Sequence, residues 1–87
     1  ETGCLMGNLA LEMAGNMPDF SKMVQLFFQD WIDAMTHIFK EKYELQTAQT
    51  LAKNCVAQIE GAVMMMRLFN DTSFLTHTHQ NIIQLLD

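Results

Sequence analysis

The side chain of this chain with the greatest potential for chemical reactivity is a cysteine at the start of a predicted helix. Cys4 follows Thr2 and Gly3 and opens an apolar segment with a helical pattern. Free backbone N–H groups and the positive end of the helix dipole stabilise a thiolate at such a position, so they lower the pKa of the thiol. A thiolate reacts with electrophiles and oxidants, and Cys4 is therefore a predicted sensing residue. The alternative is that Cys4 is a small apolar residue that packs a helix start.

Aromatic and thioether side chains recur at the spacing of one helix face. Phe27, Trp31 and Met35 follow one another every four residues. Methionine adapts to irregular shapes and aromatic rings line apolar pockets, so we predict that these three residues bind a ligand. Asn8, one turn before Glu12, is predicted to supply hydrogen bonds to the same pocket. The alternative is core packing for the apolar residues, and capping or a solvated surface for Asn8.

The other residues with potential chemistry favour structural roles. Cys55 lies among apolar neighbours in the middle of a helical segment and is predicted to pack in the core. His77 and His79 are two positions apart, which places them on different faces of a helix and excludes a paired metal site. The sequence shows no nucleophile with a base at a recognisable spacing, no phosphate-binding glycine loop and no metal cluster. We predict no enzyme activity, no metal and no cofactor.

Composition indicates one small domain that has a surface for a partner. Of the 87 residues, 49% are hydrophobic, eight are methionine and only 17% are charged. A small monomer does not readily bury so much apolar surface. The net charge is −5 and the lysines are scattered, so we expect no nucleic-acid binding by this chain itself.

Two further expectations concern the chain's origin. It begins inside an apolar segment without a start methionine, which suggests a piece of a longer polypeptide. It shows no leader peptide and no apolar stretch of about 18 residues, so we expect a cytoplasmic protein without membrane contact. Two cysteines without a disulfide or metal spacing fit a reducing compartment.

The hydrophobic pattern predicts helices throughout the single domain of residues 1–87. The first is predicted at 3–14 and ends before a Gly-Asn pair. The second begins at Pro18, where a missing N–H is harmless, and extends to residue 43 as an amphipathic helix. The third is predicted at 47–69, and the fourth begins after the turn at 70–72.

The second half of the third predicted helix is apolar on nearly every side. Within 55–66 the polar side chains are Gln58 and Glu60. A helix of this kind must be covered on every side. Gly61 costs about 1 kcal/mol relative to alanine inside a helix, so it is predicted to mark a close approach of another backbone.

The order of these features resembles the C-terminal domain of TetR-family transcriptional regulators. The resemblance is carried by GCLMGNLALE at 3–12, the long helix begun by Pro18, QIEGAVMMMR at 58–67 and Asp71 before the last helix, and it covers essentially the whole chain. It implies an all-α, four-helix antiparallel bundle-like domain that dimerises through its last two helices. It also implies a bacterial regulator, usually a repressor.

The resemblance implies partners as well. In that family an N-terminal helix-turn-helix domain binds operator DNA, while the C-terminal domain forms a homodimer and binds an effector. No residue here matches the helix-turn-helix, so we expect DNA contact only through a domain absent from this chain. The expected effector is a small apolar ligand, or an electrophile that modifies Cys4. The implied dimer interface comprises Gln58, Ile59, Gly61, Ala62, Met65, Met66, Phe74, Leu75 and Ile82.

Two other classes of function stay open at this point. One is a stand-alone helical interaction module, whose third helix docks a different protein; the missing start methionine argues against it. The other is a thiol-based redox enzyme that relies on Cys4, which would require turnover with a peroxide or a disulfide.

Overall fold

The computed structural model describes residues 18–87, which form three α-helices and no strand. They are α1 (Pro18–Phe39), α2 (Leu45–Phe69) and α3 (Ser73–Leu86). These helices correspond to the second, third and fourth helices that the sequence predicts, so the prediction of an all-α fold is confirmed for this part of the chain. The helix predicted at 3–14 lies outside the described residues.

Helix α1 begins where the sequence predicts but ends one turn early. Pro18 opens it, and Asp19 lies in the first turn, where a carboxylate interacts favourably with the helix dipole. The predicted end at residue 43 is wrong, because the α-helix stops at Phe39 and a turn follows. In that turn the N–H of Tyr43 still donates to the carbonyl of Phe39 at 2.9 Å, so one hydrogen bond of the helical type continues past the end of the helix.

The connection between α2 and α3 is a short turn built on a left-handed residue. Asn70 has φ 52° and ψ 49°, a conformation that asparagine tolerates better than most residues. The N–H of Asp71 donates to the carbonyl of Met66 at 3.0 Å, which satisfies one of the last carbonyls of α2. The carboxylate of Asp71 then accepts a 2.9 Å hydrogen bond from the N–H of Ser73, the first residue of α3.

Helix α2 is the central element, because both α1 and α3 pack against it. The structure extends 40 × 31 × 15 Å. The described part of the chain is therefore much thinner along one direction than along the other two.

The core lies where the turn between α1 and α2 meets the end of α3. Its fully buried members are Phe39, Ala48, Ala52 and Cys55. The small residues of α2 allow α1 to approach closely, and the partly buried side chains packed around them are Ile32, Met35, Tyr43, Leu51, Ile82 and Leu85. All three helices therefore contribute to one cluster, which fixes their relative positions.

Candidate functional site

Three aromatic rings form a cluster on α1. The ring centroids of Phe27 and Phe28 are 5.3 Å apart with planes at 84°, and those of Phe28 and Trp31 are 5.9 Å apart with planes at 25°. Both are favourable arrangements of aromatic pairs. Phe27 exposes 48% of its surface, whereas Phe28 and Trp31 are half-buried. The cluster therefore presents an accessible aromatic edge.

Further apolar side chains extend this exposed surface along α1. Met23 lies one turn before Phe27, and Ile38 lies three turns after it, on the same side of the helix. Both side chains are exposed. The side of α1 that faces α2 carries the buried Val24 and Phe39. The apolar arc of α1 is therefore wider than its contact with α2 requires, and the remainder is exposed within residues 18–87.

A second exposed apolar surface lies on the C-terminal half of α2. Ala57, Gly61, Met64 and Leu68, here called the α2 stripe, follow one another at spacings of four, three and four residues. Met64 is 55% exposed and Leu68 is 72% exposed. A Cβ atom added at Gly61 would meet no atom within 4 Å. The close approach predicted at this glycine is thus not made by the described part of the chain.

The outer edge of α3 adds to the exposed apolar area. Ile83 and Leu86 are both exposed, one turn apart on the same side of α3. At the turn between α2 and α3, the rings of Phe69 and Phe74 stack with centroids 5.7 Å apart and planes at 29°. The stacked pair holds the C-terminal half of α2 against the start of α3.

Comparison with known proteins identifies the family. A family model described as the C-terminal domain of LmrA/YxaF-like transcriptional regulators matches residues 1–81. The chain belongs to the TetR family. The C-terminal domains of TetR regulators are regulatory and non-catalytic. A search of curated proteins and a search of solved structures each gave no significant match.

The structure of this TetR-family domain brings together part of the predicted ligand site. Phe27 and Trp31 meet through the ring of Phe28. Met35 is half-buried and packs against the core cluster instead. Cys4 and Asn8 lie outside the described residues, so the structure assigns them no position.

The residues predicted for the dimer interface differ in how far they are buried within the chain. Ala62 is buried within the chain, and Ile82 packs against the core cluster. Gln58 is exposed, and the remaining members are half-buried: Ile59, Gly61, Met65, Met66, Phe74 and Leu75. Met64 and Leu68 are not among the residues predicted for the interface, although their helical spacing from Ala57 and Gly61 is a signal for them in the sequence.

The prediction that Cys55 packs in the core is confirmed. Its side chain is 1% exposed among the alanines of α2, and burial raises the pKa of the thiol because a thiolate would lose its hydration. The three histidines of the TetR-family domain are all exposed. Within residues 18–87 no three His, Cys, Asp or Glu side chains are grouped as metal ligands, and none of α1 to α3 combines the length and apolarity needed to cross a bilayer.

Proposed function

We propose that this domain is the effector-sensing and dimerisation part of a cytoplasmic TetR-family repressor. It pairs with a second copy of itself, and a small apolar or electrophilic effector changes how the N-terminal helix-turn-helix domain binds operator DNA. The observation that carries the pairing is the exposed α2 stripe. The observation that supports an apolar effector is the accessible aromatic cluster of α1.

The α2 stripe has the features of a seam between two helices. Its spacing of four, three and four residues is the spacing of side chains that line a contact between packed helices. Gly61 and Ala57 let a second backbone approach, while Met64 and Leu68 provide apolar area beside them. Exposing Leu68 and its neighbours to water is unfavourable by about 25 cal/mol per Å² of apolar surface, so covering them favours association.

A two-fold interface suits this surface because it uses the same patch twice. The exposed Ile83 and Leu86 of α3 extend the patch beyond α2, and a stable homodimer needs roughly 800 Å² of surface from each partner. The residues predicted for the interface that remain at least partly accessible, such as Gly61, Met65 and Phe74, would lie within or beside the same patch.

The effector would bind against the exposed side of α1. Phe27 and Trp31 provide aromatic surface for an apolar molecule, and Asn8 would supply a polar contact that orients it. An electrophile would instead modify Cys4. In both cases a change at the start of the domain would alter the separation of the paired DNA-binding heads, which must match half-sites about 34–36 Å apart.

Light scattering over a concentration series tests the pairing. We expect a molar mass near twice the 10.0 kDa of the chain. Replacing Met64 by Gln, which is as good a helix former, should lower the dimer affinity because it places an amide in the apolar contact. The matched control is Leu26→Gln on α1, since Leu26 is exposed by 55%, the same fraction as Met64. A monomer at tens of micromolar, or equal effects of both substitutions, would contradict the proposal.

The effector site is tested through the single tryptophan of the chain. Naphthalene, used as an apolar aromatic probe, should change the fluorescence of Trp31 in a saturable manner. Phe27→Ala should weaken that binding, because the exposed edge of the cluster is lost. The thiol version is tested in the full-length regulator with N-ethylmaleimide, which should release operator DNA from the native protein and leave Cys4→Ser bound. Equal release from both proteins would exclude Cys4 as the sensor.

A further inference from the structure

A groove between α1 and α2 lies apart from the aromatic cluster and the α2 stripe. It has a volume of about 350 Å³ and is lined by residues of α1 including Ile32 and Asp33, by Lys40 just after α1, and by Leu45, Gln49 and Lys53 of α2. No member of the aromatic cluster or of the α2 stripe lines it. The volume is within the range of small-molecule sites in proteins.

The two lysines lie toward opposite ends of the groove. Lys40 directly follows the last residue of α1, and Lys53 lies eight residues into α2 from Leu45, which is about 12 Å along the helix. Because α1 and α2 are joined by a short turn and pack side by side, they run antiparallel. Lys40 is therefore beside the start of α2, while Lys53 is about two turns away along the groove.

Two lysines and one aspartate give the groove a net positive lining in an otherwise acidic chain. The net charge is −5 with five Lys and Arg residues, and two of these five line this one groove. Asp33 also lines it, but one of its carboxylate oxygens accepts a 2.9 Å hydrogen bond from the side-chain amide of Gln29. Lys40 is seven residues from Asp33, about 10 Å along α1, which is close to the screening length at physiological salt.

We propose that this groove binds a small linear dicarboxylate that bridges α1 and α2. One carboxylate would accept hydrogen bonds from Lys40 and the other from Lys53. The methylene chain between them would pass over Ile32 and Leu45, and Gln49 would offer its amide midway. We choose a chain of four methylenes because the two lysines lie about two helical turns apart along the groove, and their flexible side chains can adjust to the carboxylates.

The probe is adipate, and its binding is measured through shifts of the backbone amide resonances of the 87-residue chain. Both lysines are exposed, so we expect a dissociation constant on the order of a millimolar and weaker binding at higher salt. Saturable shifts should appear along the groove, at 29–40 and 45–53. Hexanoate, which has the same chain length and one carboxylate fewer, should bind several-fold more weakly.

Substitutions at the ends of the groove should separate this site from general anion binding. Lys40→Gln and Lys53→Gln should each weaken adipate binding about fivefold, the effect expected of one exposed ion pair. Lys22→Gln is the matched control, because Lys22 is an exposed lysine of α1 outside the groove, and it should change nothing. Asp33→Asn should strengthen binding, since it removes a repelling carboxylate from the lining of the groove.

The proposal is overturned by any of three results: equal affinity for hexanoate and adipate, equal effects of the Lys22 and Lys53 substitutions, or shifts confined to the aromatic cluster or the α2 stripe. Glutamine keeps the helix propensity of lysine, so these variants should remain folded, and unchanged resonances elsewhere would verify this. The groove is formed within one chain, so the outcome is independent of whether the domain dimerises or senses an apolar effector.

Discussion

The hydroxyl of Tyr43 donates a 2.6 Å hydrogen bond to the main-chain carbonyl of Leu85. This bond joins the turn between α1 and α2 to the last turn of α3, where carbonyls lack partners within the helix. Lys42 donates to the carbonyl of Asp87 in the same region, and its ammonium lies 5.6 Å from the centre of the Tyr43 ring. Two adjacent residues of one turn thus hold the end of the third helix.

We expect Tyr43→Phe to lower the free energy of unfolding by about 1 kcal/mol, because it removes this hydrogen bond and leaves the ring in place against Phe39. Urea denaturation followed by circular dichroism measures the change. Thr50→Val is the control, since the hydroxyl of Thr50 bonds only to the carbonyl of Gln46 within the exposed first turns of α2, and its loss should cost less than about 0.5 kcal/mol. Equal losses in the two variants would show that the Tyr43 bond does not hold α3.

The buried thiol of Cys55 predicts a loss of stability at alkaline pH. Burial raises its pKa above the ordinary value of 9.0, so the unfolded chain releases a proton there that the folded chain keeps. Stability contributed by the neutral thiol is complete below pH 9 and falls as pH rises toward the folded pKa. The measurement is the free energy of unfolding from pH 7 to 10.5 in a Cys4→Ser background, compared with the same background carrying Cys55→Ala.

The difference in the free energy of unfolding between these two proteins should change with pH, because only one of them carries the buried Cys55 thiol. In the same background, a thiol reagent at pH 8 should modify Cys55 only when urea unfolds the chain. Rapid modification of the folded chain would contradict the burial of this side chain.

The lowered pKa of Asp71 predicts a loss of stability at acidic pH. Hydrogen bonds from the backbone and side chain of Ser73 lower the pKa of its carboxyl below the ordinary value of 3.8, and the charge of His77 lowers it slightly further. The stability that the carboxylate contributes is therefore present above pH 3.8 and is lost as pH falls through the folded pKa. Carbon chemical shifts of Asp71 should report this lowered pKa directly.

Asp71→Asn retains an acceptor for Ser73 but removes the charge. The native chain should be more stable than this variant near pH 6, and the two should converge as the pH falls to about 2. His77→Gln should change the acid transition much less, because Ser73 is the larger cause of the shift. A difference between native and Asp71→Asn proteins that is constant with pH would contradict an ionic role.

The sequence predicted the elements of residues 18–87 better than it predicted their surfaces. The starts at Pro18 and after Asn70 carry local signals, namely a proline and a left-handed turn residue, and both are correct. The end of α1 was missed because 40–44 contain no Gly, Pro or Asn, and the turn there is held by the distant Leu85. The nearly all-apolar half of α2 could not be divided into inner and outer sides, since composition alone does not show which neighbour covers Ala62 and leaves Leu68 exposed.

Gly61→Ala should have opposite effects on the stability of the single chain and on the affinity of the proposed homodimer. Among residues 18–87 the added methyl group meets no atom within 4 Å, and alanine is a better helix former by about 1 kcal/mol, so the isolated domain should become more stable. In the proposed dimer the methyl group would lie where two helices approach, so the dimer affinity should fall. Thermal unfolding at low concentration measures the first effect, and sedimentation equilibrium measures the second.

Ala57→Ser provides the graded control, because it adds one small polar atom one turn away on the same stripe and should weaken pairing less than Gly61→Ala. If Gly61→Ala raises the unfolding temperature and leaves the dimer dissociation constant unchanged, then the pair does not meet at this glycine. Pairing would in that case depend on the edge of α3, and substitutions at Ile83 and Leu86 would become the sensitive ones. If the unfolding temperature and the dimer dissociation constant both rise, then Gly61 favours association at the expense of the stability of its own helix.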